Sequence, residues 1–197
     1  MEITDEMIEE NKNKIIELLR STNREGIEEL INFLSNTDFF TAPASTKFHL
    51  SVKGGLAIHS LHVYEALMAL KNVPVFEIEG VENESIILAS LLHDICKAEY
   101  YSVGERNAKD ENGKWVKVPF YQVENKIVSI GEHGDKSLVM ALEYIKLSPA
   151  EKASIRWHMG AYEGAGIYNS LSLAYERYPL AYATHVADEI ATYRMEA

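Results

Sequence analysis

Cysteine is almost missing from this chain: Cys96 stands alone in 197 residues. A lone thiol closes no internal disulfide, which fits a reducing compartment. Basic residues are also scarce, 19 Lys and Arg against 30 Asp and Glu, so the formal charge is −11 with the seven histidines neutral. Gripping duplex DNA through many phosphates needs a basic face, and this balance argues against that partner while leaving room for a local basic pocket. No run approaches the roughly 18–20 uninterrupted apolar residues of a membrane helix, and the first twenty residues, rich in Glu and Lys, hold no secretory apolar core. A cytoplasmic protein with no membrane attachment is expected. Internal repeats and low-complexity segments are lacking too. With 47% hydrophobic residues, the chain has what one compact domain needs to bury a core, and disorder and collagen-like order are excluded.

The hydrophobic period is mostly helical. Residues 5 to 20 place Ile8, Ile15 and Leu19 on one face and Glu9, Glu10, Lys12, Lys14 and Glu17 elsewhere, which predicts a peripheral amphipathic helix. Ile27, Leu30, Ile31 and Leu34 repeat the pattern, and Asn36 to Pro43 mark its exit. Gly54-Gly55 opens a helical run over about 56–70, and residues 83–97, apolar nearly all round, predict a core helix. Asn112-Gly113 between segments containing Val103 and Trp115 to Tyr121 predicts a hairpin over 100–125. Ser148-Pro149-Ala150-Glu151 is a capping box with Pro at the first helical position. A loop with Gly160, Gly164 and Gly166 then leads to a last helix over about 179–194.

The core helix ends in Leu91-Leu92-His93-Asp94-Ile95-Cys96-Lys97. Unpaired buried charge is costly, so such groups are normally paired, neutralised or bound to a metal. A single His-Asp doublet arises about 0.2 times by chance in a chain with this many His and Asp, and needs company. His59 follows Gly54-Gly55-Leu56 on the preceding helix. Asp188 shares a stripe with the small residues Ala181, Thr184 and Ala191 on the last one. His133 and His158 sit between them at element ends.

The order His59, His93-Asp94, Asp188, with Gly54-Gly55-Leu56 before the first His and Lys97 closing a His-Asp-x-x-Lys turn, resembles the HD superfamily of metal-dependent phosphohydrolases. His133 and His158 are similar to the extra ligands of the six-ligand subset that holds two metals. The resemblance covers roughly residues 48–195. It implies an all-α HD-domain helical bundle, placed at 36–197 with the small β-hairpin insertion read above, and leaves the N-terminal helical appendage over 1–35 unexplained. It implies two divalent transition metal ions, Fe, Mn, Co, Ni or Zn, with His59, His93, Asp94 and Asp188 on one and Asp94 bridging to a second held by His133 and His158. No thiolate cage competes with these ligands. A hydroxide made by the metals would attack phosphorus, so the expected activity is hydrolysis of a phosphate ester of a nucleotide or short nucleic acid. Asp94 and Lys97 are the catalytic candidates. Lys97, on a continuing helix, would lie one turn beyond His93 and contact a phosphate oxygen; Arg156 and Lys136 are weaker candidates for that role. Where the family usually has Gly before the Lys, this chain has Cys96, a departure expected to affect packing alone.

Two rival classes share these residues. The six ligands also resemble the mixed-valent di-iron oxygenases, and a metal-stabilised interaction module without catalysis is the other reading. His62, one helical turn from His59, could support that ligand but reads more readily as a partly buried core histidine, while His49 and His185 read as structural or solvated, with His185 the nearer to the site. Tyr100, Tyr101, Trp115, Phe120 and Tyr121 could stack on a nucleobase, although aromatics at a hairpin base more often pack it onto the body. The glycine-rich loop with Tyr162 and Tyr168 could cover the site or be an ordinary helix connection. The partner expected is a small phosphorylated substrate, and a homo-oligomer is compatible with the sequence.

Overall fold

A computed structural model describes residues 3–124, 131–163, 166 and 168–196. Among them are eight α-helices and one two-stranded antiparallel sheet. The helices are α1 (Asp5–Ser21), α2 (Ile27–Asn36), α3 (Gly55–Leu70), α4 (Asn83–Leu92), α5 (His133–Leu142), α6 (Pro149–Trp157), α7 (Tyr168–Arg177) and α8 (Pro179–Ile190). The strands β1 (Tyr101–Lys109) and β2 (Trp115–Val123) lie between α4 and α5. No helix among the described residues is long and apolar enough to cross a membrane.

The periods read from sequence explain the first helices. Thr4 caps α1 by accepting the Met7 N–H at 3.2 Å, and Ile8, Ile15 and Leu19 turn inward. The α1–α2 turn passes Gly26 at φ 87°, where an added Cβ would lie 1.9 Å from the Tyr144 carbonyl oxygen, so only glycine fits. Helices α1 and α2 do not stand apart from the body. Ile15, Leu19, Leu30 and Leu34 are fully buried in one core with Leu56 of α3 and Leu88 of α4. A second core lies across α3 and α4, where Val63, Leu67, Ile86 and Ala89 meet Leu180, Ala183 and Ala187 of α8. Alanine on α8 allows close approach of the three helices that carry much of the site.

Helix α4 is shorter than its apolar run suggests. Residues Ile86 to Leu92 are buried all round, but the helix stops at Leu92 and the chain turns through Asp94 at φ −112°, ψ 19° before a 3-10 turn over Ile95–Lys97. The hairpin closes on a three-residue loop, with the Asp110 carboxylate accepting the Asn112 and Lys114 N–H groups at 2.9 Å each and Gly113 at φ 77°. Its aromatics do not all pack onto the body: Trp115 is 66% exposed and Lys109 lies over its ring. The capping box forms as read, Ser148 accepting the Glu151 N–H and Glu151 returning to the Ser148 N–H. The stretch between α6 and α8 contains α7, a helix its polar sequence did not announce, and the end of α8 widens into a π turn over Ala191–Met195.

Candidate metal centre

Six side chains from five helices and one turn converge. His59 comes from the middle of α3, His93 caps the C-terminus of α4, and Asp94 follows it in the sparsely populated bridge conformation that many active-site residues adopt. That turn aims both members of the doublet at one point. His133 is the first residue of α5, placed by the reciprocal capping of Glu132 and Asp135. His158 ends α6, and Asp188 projects from α8.

The six divide into two triads. His59, His93 and Asp188 bring donor atoms within 4.8 Å of one another, and so do Asp94, His133 and His158. Asp94 joins them: Oδ1 lies 2.7 Å from His133 Nε2 and 3.6 Å from His158 Nε2, while Oδ2 lies 3.3 Å from His93 Nε2 and 3.8 Å from His59 Nε2. His59 Nε2 is 3.1 Å from Asp188 Oδ1. His59, His93, Asp94 and His158 are buried; His133 and Asp188 keep a thin exposed edge.

The hydrogen bonds fix which ring nitrogens face the cluster. His93 Nδ1–H donates to the Ser90 carbonyl at 2.7 Å and His158 Nδ1–H to the Ile155 carbonyl at 2.8 Å. His59 Nδ1–H donates to Glu196, a carboxylate that can only accept, at 3.0 Å. Each Nε2 therefore faces inward, where it offers a lone pair whenever the ring is neutral. His93 Nε2 and His59 Nε2 face each other at 3.3 Å, and His158 Nε2 is buried with no hydrogen-bond partner. Lone pairs and carboxylates gathered out of water need a positive charge between them, a proton or a metal cation. These buried His and Asp groups can hold metal ions, and their nitrogen and oxygen donors suit first-row divalent metals.

The titration behaviour follows the same geometry. Burial alone would lower His59, but hydrogen bonds to Asp188 and Glu196 outweigh it and raise its pKa to about 9. Burial likewise opposes charge on His133, and Asp94 overcomes it, raising His133 to about 10. Burial pushes the Asp94 carboxyl up, yet the Lys97 ammonium and the imidazoles of His93 and His133 hold it well below the usual carboxylate range. His158 is lowered, chiefly by burial. The two raised imidazoles, His59 and His133, fall one in each triad, where a proton can supply the positive charge that a cation would.

The centre opens into a cavity of about 880 Å³ whose walls include His59, Asp94, His133, His158 and Asp188. Lys97 reaches this wall, but not from a continuing helix: it ends the 3-10 turn and its Nζ contacts Asp94 Oδ2 at 2.6 Å. Arg156 and Lys136 are not among the lining residues. Arg156 pairs with Asp135 and lies 4.1 Å over the Trp157 ring. Tyr101 and Tyr162 line the cavity, whereas Trp115 and Tyr168 do not.

Four residues near the centre were not expected from sequence to take part in it. Glu196 accepts from His59 and from His62 Nδ1, the latter at 2.9 Å. His49 lines the cavity 4.7 Å from the His59 ring, its Nε2 buried and unpartnered, and burial lowers its pKa to about 4. His185 donates to the His158 carbonyl at 2.6 Å. Cys96, expected only to pack, places its sulfur 3.5 Å from His133 Nδ1. The only sequence signal for these positions was that His185 precedes Asp188 by three residues. Comparison with protein-family models, curated proteins and solved structures finds no match for this chain.

Proposed function

We propose that the chain is an HD-type phosphohydrolase that uses two divalent metal ions to cleave a phosphate ester of a nucleotide or short nucleic acid. The observation that carries this reading is the division of Asp94: one carboxylate oxygen faces His133 and His158, the other faces His93 and His59. A carboxylate so placed between two triads suits a bridging ligand. His59, His93 and Asp188 would hold one cation, His133 and His158 the other, with Asp94 shared. When bound, such a pair supplies a water of lowered pKa and neutralises charge on a phosphoryl group.

The remaining roles belong to the chain itself. The Ser90 and Ile155 carbonyls keep His93 and His158 in the tautomer that directs Nε2 inward. Lys97 holds Asp94 by one oxygen and carries a fixed positive charge on the cavity wall, where an anionic oxygen would be drawn. Phe48 and Tyr162, 74% and 70% exposed, lie among the cavity-lining residues and offer faces to a base. The acidic balance of the chain favours a small phosphoester over a long polymer.

The test is metal content of protein purified without chelator, paired with phosphate release from a nucleotide panel and from a bis-aryl phosphodiester. About two metals per chain with release supports the proposal. About two irons with no release on any ester moves the assignment to the di-iron oxygenases, and one or none withdraws the two-metal reading.

A further inference from the structure

Two carboxylates grip the same imidazole from opposite sides. Asp188 faces His59 Nε2 at 3.1 Å, and Glu196 accepts from Nδ1 with its two oxygens at 3.0 and 3.2 Å. Both acids follow one another on the α8 segment. In an uninterrupted α-helix, residues eight apart sit about 80° apart around the axis. Here the last turn is a π turn over Ala191–Met195, closed by the Glu196 N–H donating to the Ala191 carbonyl at 3.1 Å. A residue in an i→i+5 turn advances less far around the axis, which swings Glu196 back toward the face of Asp188. Its carboxylate is completely buried, and it takes a second N–H from His62, one turn along α3.

His49, His59 and Glu196 also bring donor atoms within 4.8 Å of one another. They do not make a third cation site, because the His59 nitrogen on that side is the one whose N–H Glu196 already holds, and Glu196 is occupied by two imidazoles.

We infer that Glu196 is a positioning residue: carried by the π turn, it fixes His59 as the Nδ1–H tautomer and so reserves Nε2 for a metal in the His59, His93 and Asp188 triad. The inference rests on reading that triad as a metal site. A carboxylate behind a ligating histidine fixes ring orientation and raises its basicity, and loss of such a partner costs about 10–100-fold in metal affinity. Among the described residues Glu196 bonds to His59 and His62 and makes no hydrogen bond or ion pair with His133 or His158, so it acts on one triad.

The experiment is Co²⁺ titration of wild type, Glu196→Ala and Glu196→Gln against a chromogenic chelator, with the exchangeable Nδ1–H proton of Co²⁺-bound His59 followed by NMR. Support is a loss of about 10–100-fold at one of two sites in Glu196→Ala, the other site unchanged, with the shifted N–H signal lost to exchange. Glu196→Gln, whose amide oxygen still accepts from Nδ1–H, should recover most of both. Circular dichroism of the metal-free variants confirms their fold, and the Gln variant answers the question if Ala does not fold. Equal affinity and an unchanged N–H signal in wild type and Glu196→Ala overturn the inference alone. A wild-type chain that takes up no Co²⁺ overturns the metal reading and the inference together.

Discussion

Lys97 Nζ and Asp94 Oδ2 lie 2.6 Å apart, an ion pair between a buried carboxylate and an ammonium only 12% exposed. The pair formed because α4 ends early and the chain folds back through Ile95–Lys97. Lys97 therefore competes with any cation for one Asp94 oxygen while supplying positive charge to the cavity. Replacing Lys97 with Met should leave about two metals per chain and slow turnover on a phosphoester about 10²-fold, the scale of losing one charge-stabilising group. Metal analysis beside kcat checks this, and unchanged turnover would reduce Lys97 to a clamp on Asp94.

Asp94 belongs to the triad of His133 and His158 and turns its second oxygen toward His93 and His59 of the other. Asp94→Ala should lower metal content at both sites and abolish hydrolysis. It also strands Lys97 and His133, whose charges Asp94 supports, so the metal-free variant should lose about 3 kcal/mol of stability. Denaturant melts of the metal-free proteins measure that loss, and retention of one full metal equivalent would show that the carboxylate is not shared.

Chelation should destabilise the native chain. At a free metal concentration 100 times the dissociation constant, each occupied site contributes about 2.7 kcal/mol. For a chain of this length that is a rise of about 5–10 °C in Tm per site. A thermal melt with and without chelator, followed by Mn²⁺ or Zn²⁺ addition, gives the comparison. An identical Tm in all three conditions contradicts metal binding to the folded state.

Glu151 offers a pH dependence away from the centre. Its side chain is 1% exposed and meets Arg24 at 2.8 Å and Ser85 at 2.7 Å. Burial raises its pKa, but the hydrogen bonds from Arg24, Ser85 and Ser148 prevail and hold it below the usual 4.5. A carboxyl depressed in the folded state contributes stability above its unfolded pKa and loses it as pH falls through the folded value. Glu151→Gln should therefore cost about 3 kcal/mol at pH 7, with the gap to wild type closing below about pH 4.5. Urea midpoints at pH 7 and pH 3.5 test both halves, and a gap independent of pH would assign the loss to the capping geometry alone.

Helices with a strong one-sided stripe were legible to within a residue or two, as α1 and α2 show. The end of α4 was not, because Ile95 continues the apolar run and no Gly or Pro marks the turn; the break comes from the convergence of the His93 and Asp94 side chains, a tertiary demand. Helix α7 escaped notice because only Leu171 along it is buried, leaving no stripe to read. The six histidine and aspartate positions stood out through their order in the chain, and the structure gathers all six. Glu196 did not stand out, since an acid beyond a terminal helix resembles any solvated end. His49 was hidden for a related reason: it sits on an irregular loop, where no periodicity says which way a side chain points.

The grip on His59 has a consequence for how the chain reaches its native state. Its contact with Glu196 spans 137 residues, so one of the longest loops in the molecule must close before the centre exists. Closing it costs entropy that local helix formation does not recover. Helix α8 and the turn after it thus complete a centre begun on α3. A cation that joins α3 to α8 would act as a removable cross-link, slowing unfolding more than it speeds folding if the segment docks after the transition state.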